Sequence, residues 1–108
     1  MNKESVIYFK DYGFVYVYKN INRLFAWNRI TKIIAYKVDL LTIDDIKLEI
    51  WDSDGGITIS EEHGSWKNFT EKILNQYPEI DNEWYSKIVT LPFLRNETIL
   101  YQRVIKPN

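Results

Sequence analysis

The chain has 108 residues and a mass of 13.0 kDa, enough for one domain with a genuine core and too little for two. It is 45% hydrophobic, 16% aromatic and 27% charged, unlike a disordered or fibrous chain, and its net charge of -1 removes bulk polyanion binding as a default. It has no cysteine, which excludes disulfides, zinc–thiolate sites and thiol nucleophiles.

The first 60 residues read as strands. Val6 to Lys10 and Phe14 to Tyr18 are β-branched and aromatic runs around the turn chemistry of Asp11-Tyr12-Gly13. In the second run, side-chain alternation puts Val15 and Val17 on one face and Phe14, Tyr16 and Tyr18 on the other. With the valines facing the core, the aromatics line the opposite face. Arg23 to Trp27 and Ile30 to Val38 follow as further strands, the latter reached through an irregular turn at Asn28-Arg29. Ile46, Leu48 and Ile50 then alternate with Lys47, Glu49 and Trp51, and Ile57 and Ile59 with Thr58 and Ser60. An Asp54-Gly55 turn between them predicts a hairpin with Ile50 opposite Ile59 and Asp52 opposite Ile57.

The period then becomes helical. Trp66, Phe69, Ile73, Leu74 and Tyr77 share a face, with Ser65 as N-cap and Pro78 as stop. A shorter helix starting at Asp81 or Asn82 presents Trp84, Ile88 and Val89, and Thr98 to Ile105 adds a last strand. Strands followed by helices predict an α+β fold: an antiparallel sheet of six to seven strands packed against one main and one shorter helix. The connections are too short for crossover helices, which excludes a doubly wound parallel sheet. Residues 1–108 form a single domain without repeat, low-complexity tract or linker.

Catalytic machinery is thin. The four glycines cannot assemble a P-loop or a dinucleotide fingerprint, and no serine sits in an elbow motif beside His63, the single histidine. Glu61, Glu62 and His63 adjoin in sequence, but neighbouring strand residues face opposite sides, so a solvated strand-to-helix junction is the better reading than a metal site. Asp44-Asp45 read in the same way as a turn cap rather than an acid–base pair. The chain is therefore expected to be no enzyme and to need no cofactor or metal. Met1 to Ser5 carry mixed charge, no apolar stretch of signal length precedes Lys10, and no uncharged run approaches the ~20 residues of a membrane span. With the missing cysteines this points to the cytoplasm.

Charge is unevenly spread. Residues 1–37 sum to +5, residues 39–62 to -7 and the remainder to +1. An acidic edge of Asp39, Asp44, Asp45, Glu61 and Glu62 would steer a basic partner. Tyr16 and Tyr18 are candidate aromatic anchors for a protein interface or stacking platforms for single-stranded nucleic acid, against the alternative that they seal a core edge.

Trp27-Asn28-Arg29-Ile30, the stretch Ile33 to Thr42 and Asp45-Ile46 together resemble a group of small uncharacterised bacterial proteins. Ile57 to Glu62, then Trp66, Phe69, Trp84 and Asn96 to Tyr101, continue the pattern. The Trp-x-x-Ile-x-x-Ile approach to a strand is similar to bacterial pleckstrin-homology-like sheets, from which the second helix and the final strand depart. The resemblance implies an immunity protein of a polymorphic toxin system, blocking its toxin by direct binding. Its partner would be a basic toxin domain docked on the acidic edge. Two alternatives stand beside this. One is a pleckstrin-homology-like module for a peptide, protein scaffold or lipid headgroup, the last needing Lys10, Lys19, Arg23 and Arg29 to converge. The other is a single-strand nucleic-acid binder, the less favoured partner class. Homo-oligomerisation is left open.

Overall fold

The structure, a computed structural model, describes residues 5–39, 44–90 and 97–103. Among them are seven strands and two helices in an α+β arrangement. The strands are β1 (Val6–Lys10), β2 (Gly13–Tyr18), β3 (Ile21–Ala26), β4 (Lys32–Asp39), β5 (Asp44–Asp52), β6 (Gly55–Ser60) and β7 (Thr98–Gln102). The helices are α1 (Trp66–Gln76) and α2 (Trp84–Val89). The strands divide between two antiparallel sheets, β1-β2-β3 and β6-β5-β4-β7.

The division falls where the sequence is irregular. A 3-10 turn at Trp27–Arg29 redirects the chain between β3 and β4. The Trp27 N–H donates to the Tyr12 carbonyl (2.9 Å), closing the first sheet, and the Thr31 N–H donates to the Trp51 carbonyl (2.8 Å), opening the second. Gly13 is required at the β1–β2 hairpin, because a Cβ there would lie 2.1 Å from the Phe25 carbonyl oxygen. The final strand ends at Gln102, and the continuation expected to Ile105 lies outside the described residues.

The β5–β6 register differs from expectation by two residues. Ile50 pairs with Ile57 and Leu48 with Ile59, so the turn residues are Ser53 and Asp54 rather than Asp54 and Gly55. The cause is local: an Asp52 carboxylate oxygen accepts the Asp54 N–H (2.8 Å), which starts the turn one residue earlier. A slip of two preserves side-chain parity, so isoleucine still meets isoleucine.

The core lies between the sheets and α1. Phe14 stacks on Phe25 (centroids 5.1 Å, 13° between planes) and meets the edge of Phe69 from α1 (5.1 Å, 89°). Ile30, Ile33, Leu48, Ile50 and Ile59 bring the second sheet into the same cluster. Arg23 crosses between the sheets: its guanidinium lies over the Phe25 ring (4.1 Å) and pairs with Asp52.

Two helix ends differ from expectation. Ser65 occupies the N-cap position of α1, but its hydroxyl makes no capping bond. The His63 carbonyl accepts the Trp66 N–H instead, while His63 Nδ1 accepts the Ser65 N–H (both 3.0 Å). Asp81 opens the turn that leads into α2, where Trp84 and Ile88 are buried and Val89 faces solvent.

Candidate functional site

The acidic edge is the first place to look. The second sheet carries its five acids to one end: Asp39 pairs with Asp44, and the Glu61 N–H reaches the Ile46 carbonyl just past the last β5–β6 pair. Much of that charge is then engaged internally. Asp45 is only 4% exposed; its carboxylate accepts the Ser60 hydroxyl (2.8 and 2.9 Å) and pairs with Lys47 (3.0 Å). Glu61 accepts the Ile46 N–H through Oε1 (3.0 Å) and the Tyr85 hydroxyl through Oε2 (2.6 Å). Lys37 stands 3.9 Å from Asp44 while donating to the Val89 carbonyl. Asp44 and Glu62 are exposed. Asp44 and Asp45 are the first two residues of β5, and the turn that they were expected to cap lies outside the described residues. Asp45 and Glu61 thus hold β5, β6 and α2 together at this end.

The Glu61 bond has a titration signature. By accepting a hydrogen bond from the Tyr85 hydroxyl, with partial burial as the smaller cause, Glu61 pushes the Tyr85 phenol up to about 12. A tyrosine whose folded pKa lies above its unfolded value of ~10 stabilises the fold fully below pH ~10 and loses that contribution as pH rises towards 12. Phenolate absorbance should therefore show a step near pH 12 that disappears in Tyr85→Phe. In Glu61→Gln that step should fall back towards ~10.

His63 does not gather Glu61 and Glu62 around a common point. Its Nδ1 accepts a backbone N–H, so the proton sits on Nε2 and is donated to the Ser5 carbonyl (2.7 Å). This imidazole ties the lead into β1 to the loop after β6. Among the described residues there is no group of three potential metal ligands.

The tyrosines of β2 require a correction of phase. Alternation holds, but Phe14 is 0% exposed and Tyr16 packs against the core cluster; Tyr18 is half-buried on the same side. The face with Phe14 and Tyr16 is the inner one, and Val15 and Val17 point outward. Phe14 decides it, because its ring fills the space between Phe25 and Phe69 that a valine would leave empty. Tyr16 is thereby committed to packing rather than to a stacking platform.

The outward face is the surface that sequence reasoning missed. Register aligns Val6 with Val17 and Asn22, and Tyr8 with Val15 and Leu24, across all three strands. Val6 is 44% exposed, Tyr8 55% and Leu24 46%; Val15 and Val17 are half-buried between them. Five apolar side chains therefore meet water on one sheet face. The signal was present in Val6-Ile7-Tyr8-Phe9 and Phe14-Val15-Tyr16-Val17-Tyr18, which are apolar at both parities. Such runs belong to strands covered on both sides, whereas a strand with one wet face alternates apolar and polar.

A cleft of about 430 Å³ separates α2 from β7, floored by Trp84, Ile88 and Leu100, and the Lys87–Asp81 pair lies on its rim. The four cations of the headgroup alternative do not converge. Lys10 and Lys19 stand at opposite ends of the first sheet, and Arg23 is bonded to Asp52. No described helix is long and apolar enough to cross a membrane. No family model, curated protein or solved structure matches this chain.

Proposed function

We propose that this chain is a non-enzymatic protein-binding domain that docks through the outer face of its N-terminal sheet. Its concrete form is an immunity protein that neutralises a toxin by occlusion. The observation that carries the reading is the in-register apolar face of Val6, Tyr8, Val15, Val17 and Leu24. Contiguous exposed apolar surface rimmed by polar groups marks interaction sites, and the centres of interfaces are apolar and aromatic. The sheet behind it is rigid, being packed through Phe14 and Phe25 into the core, so the face is presented with little ordering cost on binding. The acidic end of the second sheet contributes Asp44 and Glu62 as peripheral charges that act on encounter rate more than affinity.

The test is co-expression with the product of the adjacent reading frame. Wild type should relieve growth arrest by that product, and Tyr8→Gln/Leu24→Gln should not, with unchanged circular dichroism and at least tenfold weaker binding, as expected for two central contacts. Protection by the double variant equal to that of wild type overturns the reading.

A further inference from the structure

We infer that the groove between β7 and α2 binds a small zwitterion with an apolar tail, of the class of an amino acid with a large hydrophobic side chain. This site belongs to the second sheet, apart from the outer face of β1, β2 and β3. Two cavities run end to end along β7. The cleft of about 430 Å³ against α2 takes in Leu100, and a second of about 310 Å³ takes in Tyr101 and Arg103. Glu79 lines both, and Leu100 and Tyr101 are neighbours in one strand, so the two cavities meet. Each is of a size that holds a small organic molecule.

The two halves differ in chemistry. Trp84, Ile88 and Leu100 give the first an apolar floor, and Lys87 and Asp81 neutralise each other on its rim. The second holds two charges of opposite sign, Arg103 and Glu79. Neither forms an ion pair, with the other or elsewhere among the described residues. The Arg103 guanidinium donates to the Asn28 carbonyl, which anchors it to the cavity wall and leaves its other N–H groups to a ligand. Both charges act on the Tyr77 phenol: burial and Tyr101 hold it above its ordinary value, Arg103 opposes that rise and Glu79 adds to it.

An unmatched cation and an unmatched anion lining one cavity call for a ligand that carries both signs. A carboxylate on Arg103 and an ammonium on Glu79 satisfy them together, and a hydrophobic side chain of the same molecule fills the adjoining cleft. A peptide strand laid along β7 fits less well. The β4–β7 register slips between Ile33 and Ile34, so Leu100 is an extra residue with no opposite in β4. That bulge interrupts the edge ladder an added strand would need, in the middle of the groove.

The experiment titrates the isotope-labelled full chain and follows the amide shifts of residues 79–88 and 98–103. The probes are L-phenylalanine, its amide (no carboxylate), its N-acetyl form (no ammonium) and L-alanine (no tail). Phenylalanine is expected to bind saturably with a Kd below about 1 mM, and each of the others at least tenfold more weakly. Arg103→Gln should lose the preference for phenylalanine over its amide, and Glu79→Gln the preference over its N-acetyl form. A variant merely loosened in structure would weaken every probe together. Both residues are exposed, so the urea midpoints of the variants should stay at the wild-type value.

The amide and the N-acetyl form also stand for the first and last residues of a peptide. If either binds as tightly as phenylalanine, or a preference survives its variant, the zwitterion is overturned. Alanine binding equal to that of phenylalanine removes the apolar tail and with it the proposal. Absence of saturable shifts in these residues at about 10 mM phenylalanine overturns the site itself.

Discussion

Phe14→Ala is expected to cost about 4 kcal/mol, the middle of the range for deleting a fully buried phenylalanine. Its ring is wholly inaccessible and lies against Phe25, Phe69 and Trp27, so its removal opens a cavity walled by β3, α1 and the 3-10 turn at once. Those walls belong to elements pinned elsewhere: Tyr77 donates to the Trp27 carbonyl (2.6 Å), and Arg23, over Phe25, is held by Asp52. Collapse into the space is thereby resisted, which keeps the cost near that of an unrelaxed void. A domain of this size has about 5–15 kcal/mol in total, so the urea midpoint should fall by a quarter or more. Val15→Ala on the neighbouring position, half-buried on the outer face, should cost under about 1 kcal/mol. Reversed costs at 14 and 15 would invert the assigned sheet faces.

Asp45→Ala is expected to destabilise by about 3 kcal/mol, while Asp44→Ala changes stability by less than about 0.5 kcal/mol. The two residues adjoin in sequence and share a charge, yet Asp45 is buried and Asp44 exposed. Removing the Asp45 carboxylate leaves the Ser60 hydroxyl without its acceptor and Lys47 without its ion pair. The cost sits at the low end for a broken buried pair because Lys47 remains 28% exposed and can rehydrate. Asp45→Asn, which keeps an acceptor for Ser60, should fall between. Equilibrium urea denaturation of the three variants reads this directly. Equal losses at 44 and 45 would return Asp45 to the role of a surface charge.

The fold was legible where local chemistry decides it. Strand alternation, the Asp11–Gly13 turn, the irregular step at Asn28-Arg29 and the helical spacing of Trp66, Phe69 and Ile73 each report on a few neighbouring residues, and each element lies where its pattern lies. What escaped depends on partners distant in sequence. Whether β2 buries its valines or its aromatics is settled by Phe69, more than 50 residues away, not by β2. The division of the strands into two sheets likewise rests on Trp27 meeting Tyr12 and Thr31 meeting Trp51.

The same limit applies to the site. Asp39, Asp44, Asp45, Glu61 and Glu62 were legible as a cluster because strand ends and hairpin turns bring them to one end of a sheet. Their engagement was not, because Ser60, Lys47 and Tyr85 become acceptor- or donor-matched only after register is fixed. The outer apolar face was written in the unbroken apolar runs of β1 and β2. Reading it required knowing that the core already accounts for Phe14 and Tyr16, which leaves the valines over.

Drift in this sequence meets two opposed constraints within one hairpin. At Gly13 the backbone of β3 passes so close that any side chain collides with the Phe25 carbonyl, whatever the rest of the chain does. Two residues on, Val15 points outward and stands half-buried between Tyr8 and Leu24, so a change of side chain there meets neighbouring side chains rather than a backbone wall. Position 13 is thereby closed to every side chain, whereas positions 8, 15, 17 and 24 meet no such barrier from the backbone.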